Sequence, residues 1–209
     1  MQRTMMPAAL LVPLLVLGCE PAPTSPHALD ALEVAPMSSN AASHTTADVF
    51  AFPPSMPTLV EGATAKLVRM KTGLTVNVRT ADLHPGNVYT LWWIIFDAPE
   101  GCAAGPDNCT LADIFAPGNP ADATVFGPAA GSLAGGSGTA TFAGHVGPGD
   151  EPNFIDLGDG SVDDPLSADV AFVVRNHGPA IPGSVSEQLS TFDGGCPPNN
   201  CMNVQFGIF

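Results

Sequence analysis

The chain has 209 residues, with 20 Asp and Glu against 6 Lys and Arg, a formal net charge of −14. A surface of that sign repels phosphate backbones, so nucleic acid is excluded as a partner. With 22 Gly and 22 Pro, the sequence is rich in turn formers and poor in long helix-forming runs, and its length suits one domain of ordinary size plus a tether. In chain order, Met1-Gln2-Arg3 is a short basic start, and Met5 to Leu17 is an apolar run. That run has the length of a signal-peptide core and falls short of the roughly 20 residues a membrane-spanning helix needs.

The run ends in Val16-Leu17-Gly18-Cys19, which resembles the lipobox of bacterial lipoproteins. The resemblance implies cleavage before Cys19 and a diacylglycerol on its thiol. Lipid chains add about 0.8 kcal/mol of membrane affinity per buried CH₂, so such a protein is held at a membrane without spanning it. Glu20, in place of Asp, implies the outer membrane if the host is a diderm. Residues 1–18 therefore read as a lipoprotein signal peptide, and residues 19–46 as the lipidated Cys followed by a flexible tether. The Pro, Ala, Ser and Thr of that tether cannot bury enough apolar surface to fold.

The domain is expected over residues 47–209. Val49, Phe50 and Phe52 suggest a short first strand. Ala63 to Lys71 and Leu74 to Thr80 read as two strands joined at Lys71-Thr72-Gly73, with Leu74, Val76 and Val78 on the buried face of the second. Four of the five basic residues beyond the leader (Lys66, Arg69, Lys71 and Arg79) lie on this hairpin. They read as protection of exposed strands against edge pairing, in preference to a functional basic patch.

The next stretch, Leu83-His84-Pro85-Gly86-Asn87-Val88-Tyr89, resembles the corner of fibronectin type III and related immunoglobulin-like sandwiches. The resemblance implies that Leu83 plugs the core and that the Tyr89 hydroxyl bonds back to the corner backbone. Tyr89 to Phe96 follows, apolar on both faces, and a strand of that kind must be covered on both. Residues 97–122 read as a loop with one helical turn at Leu111 to Phe115, and Ala123 to Phe126 and Gly131 to Leu133 as short strands. Gly138 to Val146 is a further strand, and 147–166 a second long loop. Ala168 to Arg175 is a second doubly apolar strand, Ser186 to Leu189 a helical turn, and Asn203 to Phe209 a closing strand. Short strands punctuated by Gly and Pro point to an all-β fold: a single antiparallel β-sandwich of immunoglobulin or fibronectin-III type with long loops.

Beyond Cys19 stand Cys102, Cys109, Cys196 and Cys201, an even number that suits disulfides in an oxidising compartment. Of the three possible connectivities, the local pairs Cys102–Cys109 and Cys196–Cys201 are favoured, since each closes a loop rich in turn residues. No C-x₂-C spacing marks a zinc site. Asp150, Glu151, Asp156, Asp159, Asp163 and Asp164 fall within fifteen residues. Asp156 and Asp159 are the candidate calcium ligands, although EF-hand spacing is not met. His84, His145 and His177 are the domain's candidate imidazole ligands, and His145 with His177, each following a strand, would suit copper or zinc if the fold brought them together. No Gly-x-Ser-x-Gly, P-loop or dinucleotide fingerprint occurs, and no carboxylate spacing selects a catalytic pair, so nothing argues for an enzyme.

The stretches Val173 to Gly183 and Glu187 to Cys201, together with Tyr89-Thr90-Leu91-Trp92-Trp93, resemble a group of uncharacterised exported bacterial proteins. The resemblance brings an envelope address and no activity. The expectation is a lipid-anchored cell-envelope protein with a non-catalytic binding or structural sandwich. Its partners would be the membrane through Cys19 and an envelope or extracellular protein or glycan, recognised by loops 97–122 and 147–166. The alternative is an exported protein that binds calcium or copper.

Overall fold

The structure, a computed structural model, describes residues 42–150 and 161–209. The leader, Cys19, most of the tether, and Asp156 and Asp159 lie outside the described residues. The strands are Ser43–Ala47 (β1), Phe50–Ala51 (β2), Thr58–Leu59 (β3), Thr64–Met70 (β4), Gly73–Thr80 (β5), Asn87–Phe96 (β6), Ala123–Leu133 (β7), Ala140–Val146 (β8), Asp169–Pro179 (β9) and Met202–Ile208 (β10). One short helix, Val185–Gln188 (α1), precedes β10. The strands form a four-stranded sheet in the order β1-β4-β5-β8 and a six-stranded sheet in the order β3-β2-β10-β9-β6-β7. The pairings are antiparallel, and the fold is an all-β sandwich.

All ten residues of β6 are buried, and the strand lies between β9 and β7. Its alternation divides two cores. Tyr89, Leu91, Trp93 and Ile95 face the four-stranded sheet, where they meet Leu67, Leu74, Val76, Val78 and Phe142. Trp92, Ile94 and Phe96 face outward and pack with Cys102, Cys109, Ile114, Ala121 and Phe206. Side chains of this size contribute about 1.5–3 kcal/mol each when fully buried, so an uncovered outer face is not tolerable. Segment 97–122 supplies much of the cover through Cys102, Cys109, Ile114 and Ala121, while Ala103, Ala104, Asp107 and Asn108 among others stay exposed. It is held closed by the Cys102–Cys109 disulfide, with Cα atoms 5.2 Å apart. The buried Asp113 carboxylate ties it further, accepting from the Ala103 N–H at 2.9 Å and from the Thr110 N–H and hydroxyl at 2.8 and 2.9 Å. Those bonds, the one from Ala103 foremost, hold Asp113 below the usual carboxylate range.

At the corner before β6, the His84 N–H donates to the Tyr89 hydroxyl at 2.9 Å, and Leu83 is buried in the inner core. Gly86 adopts φ +79°, a conformation open to glycine and strained for other residues.

Three local readings are corrected. Residues 43–46 belong to β1 and not to the tether: this polar strand pairs Ser43 with Arg69 and Ala47 with Ala65, and its backbone bonds replace an apolar signal. The β4–β5 hairpin is the centre of its sheet, flanked by β1 and β8, so its charges do not guard an edge. Lys66, Lys71 and Arg79 are exposed, whereas Arg69 is buried. Finally, 123–133 is one continuous strand, with register shifts against β6 where two separate strands are expected.

Candidate functional site

Strand alternation places Ala65, Leu67 and Arg69 on the buried face of β4. Arg69 thus occupies a position that the first two fill with apolar side chains, and it is only 9% exposed. Its Nε donates to the Ala168 carbonyl at 3.2 Å and its Nη1 to the Thr45 hydroxyl at 2.7 Å. Nη2 has no hydrogen-bond partner among the described residues. A guanidinium presents five N–H donors, and two are engaged here, leaving three, both of Nη2 among them. The side chain lines a cavity of about 410 Å³ together with Ser43, Thr45, Asp107, Ser167 and Asp169. Asp169 is the first residue of β9 and is 3% exposed. The Cys109 N–H approaches its Oδ2 at 3.4 Å, a long bond. Burial pushes the Asp169 carboxyl up, and the charge of neighbouring Asp107 adds to the rise; the Cys109 and Asp107 backbone N–H groups and the charge of Arg69 oppose it. Burial likewise pushes the Arg69 guanidinium down, against the pull of Asp169 and Asp107. Neither carboxylate forms an ion pair with Arg69, unlike Arg175, which pairs with Asp193 at 3.2 Å.

The other end of β9 carries His177, fully buried on the outward face. The Trp92 indole donates to the Thr90 hydroxyl at 2.7 Å. Thr90 Oγ1 lies 2.7 Å from His177 Nε2, and His177 Nδ1 lies 3.0 Å from the Gly194 carbonyl oxygen. A carbonyl only accepts, so Nδ1 carries the proton, Nε2 accepts, and the Thr90 hydroxyl donates to it. The loop that supplies Gly194 is closed by the Cys196–Cys201 disulfide, with Cα atoms 5.9 Å apart. It is also laced to β9 by side-chain amides: Gln188 Nε2 donates to the Pro179 carbonyl at 3.0 Å, and Asn199 Nδ2 to the His177 carbonyl at 2.7 Å. Burial pushes the His177 imidazole below its ordinary value, with Gly194 opposing. Beside it, Arg175 is satisfied at every nitrogen. It donates to the Phe192 carbonyl at 2.7 Å and to Asn203 and Asp193 at 3.2 Å each, and its guanidinium carbon sits 3.7 Å from the Phe192 ring centre.

The expected imidazole pair is split between the two sheets. His145 is exposed on β8, 2.9 Å from the Thr75 hydroxyl, while His177 is buried on β9. His84 stands exposed at the corner, its Nδ1 beside the Pro85 carbonyl. Instead, the fold gathers His177 with Cys196 and Cys201, whose ligand atoms all lie within 4.8 Å of one another. Both disulfides are the local pairs expected from spacing. Arg69 reads as a surface charge when the hairpin is placed at an exposed edge. The available signal was the register of Arg69 with Ala65 and Leu67, which puts it on the core side. Comparison with protein-family models, with curated proteins and with solved structures returns no match.

Proposed function

We propose that the chain is a lipid-anchored cell-envelope protein whose β-sandwich is a non-catalytic binding module, with its ligand seat at the Arg69–Asp169 cleft. The observation that carries the seat is a guanidinium buried along most of its length, with Nε and Nη1 bonded to the protein and Nη2 open to the solvent-filled cavity. A buried charge is costly unless it is paired and hydrogen-bonded, and a ligand carboxylate would complete the set on Arg69. Asp169 and Asp107 on the same wall would accept from an ammonium. The net charge of −14 disfavours the approach of a plain anion, whereas a small zwitterion meets no such barrier. The cavity suits a ligand at the small end of the usual range of about 300–1,000 Å³.

The seat is tested by titrating the full chain with glycine, acetate or methylammonium while following the Arg69 Nε–H resonance by NMR. Glycine should shift that resonance saturably, with acetate weaker and methylammonium without effect on it. No saturable shift with any of the three would overturn the assignment. The address rests on the Val16-Leu17-Gly18-Cys19 pattern and on two disulfides that suit an oxidising compartment. Cys19→Ser should move the protein from the membrane fraction to the soluble fraction, and unchanged partitioning would remove the anchor.

A further inference from the structure

The loop over His177 holds more than a disulfide. His177 Nδ1 is 3.5 Å from Cys201 Sγ and 3.0 Å from the Gly194 oxygen. The Gly194 oxygen is in turn 3.8 Å from Cys196 Sγ and 3.9 Å from Cys201 Sγ. A tetrahedral zinc ion binds thiolate at about 2.3 Å and imidazole or oxygen at about 2.0–2.2 Å, which sets ligand–ligand edges of roughly 3.3–3.8 Å. Four of the edges of such a cage are therefore already near their required lengths. The sulfur–sulfur edge is the short one, because the two sulfurs are bonded.

We propose that reduction of Cys196–Cys201 converts this loop into a binding site for Zn²⁺, with Cys196, Cys201 and His177 Nδ1 as ligands and the Gly194 carbonyl at the fourth corner. A dithiol reductant supplies two electrons and two protons. The Cys196–Cys201 bond breaks, the dithiol becomes a disulfide, and two thiols form; both thiol protons leave as the metal binds. The disulfide is half-buried at a loop whose Pro197, Pro198 and Asn200 are exposed, so a reductant can reach it. Metal binding at Nδ1 requires its proton to move to Nε2, and the Thr90 hydroxyl to turn its own proton away and accept. Thr90 Oγ1, 2.7 Å away, has two lone pairs, one for Trp92 and one for an Nε2–H donor. This is the usual support of a metal-bound imidazole, whose second N–H is held by a neighbour.

The test is anaerobic titration of the reduced full chain with Co²⁺, followed by Zn²⁺ displacement. One Co²⁺ per chain should bind, with sulfur-to-cobalt charge transfer and the visible bands of a tetrahedral ion, and Zn²⁺ should abolish both. The oxidised chain should give neither band. Cys196→Ser/Cys201→Ser, which retains Cys102 and Cys109, should also give neither, and Thr90→Val should weaken binding about 10-fold or more. No cobalt bands in the reduced chain would overturn the proposal. So would bands that persist in the double serine variant, since they would then arise at other thiols. Equal affinity in His177→Ala would remove His177 as a ligand; should that variant fail to fold, the Thr90→Val arm decides the same point.

Discussion

The two ends of β9 treat buried polar groups in opposite ways. At His177 each ring nitrogen has a partner, the partners have partners, and the neighbouring Arg175 is bonded at all three nitrogens. At Asp169, about 26 Å away along an extended strand of eight steps, the facing Arg69 is bonded at two nitrogens, and the carboxylate beside it accepts a long bond from Cys109 and is further held by the Asp107 backbone. The difference is one of solvent access: the His177 network is closed within the protein, whereas Arg69 Nη2 opens onto a cavity. The His177 end keeps a loop in place, and the Arg69 end is where the proposed ligand would sit.

The contrast is broken most severely at His177. His177→Phe keeps much of the volume but strands the Thr90 hydroxyl and the Gly194 carbonyl in a buried layer. It should cost about 2–4 kcal/mol, read from the urea midpoint. A loss below about 0.5 kcal/mol would show the network to be decorative. Titration sharpens the same point. The folded state holds His177 neutral with a depressed pKa, so its contribution is present above the ordinary histidine value and is lost as pH falls through the lower, folded value. The urea midpoint should therefore drop below pH about 6.5, and the drop should be smaller in His177→Phe. An identical pH profile in both chains would place the acid lability elsewhere. Arg69→Met should move stability least, by within about 1 kcal/mol, because removing a desolvated charge offsets the loss of two hydrogen bonds. A loss matching that of His177→Phe would make Arg69 a structural residue like Arg175.

Much of the sandwich was legible because its signals are local. The alternation of Leu74, Val76 and Val78, the doubly apolar run from Tyr89 to Phe96 and the corner joining Leu83 to Tyr89 are each written within ten residues. The cysteine pairs are separated by 7 and 5 residues, so loop closure favours them. What stayed hidden depends on distant partners. β1 carries no apolar stripe and is defined by its pairing with β4. The run from Tyr89 to Phe96 required cover on both faces, yet nothing in residues 97–122 says that Ile114 and Ala121 supply it. Arg69 reads as a surface charge until β1 and Ala168 close around it, and His177 meets its carbonyl partner 17 residues later in the chain.

Whether the open guanidinium of Arg69 is a ligand seat is decided by glycine titration of Arg69→Met beside the wild-type chain. The wild-type chain should bind glycine saturably, while the variant, with an unchanged backbone amide spectrum, should not bind it. Equal binding by the two chains would mean that Arg69 is not the seat.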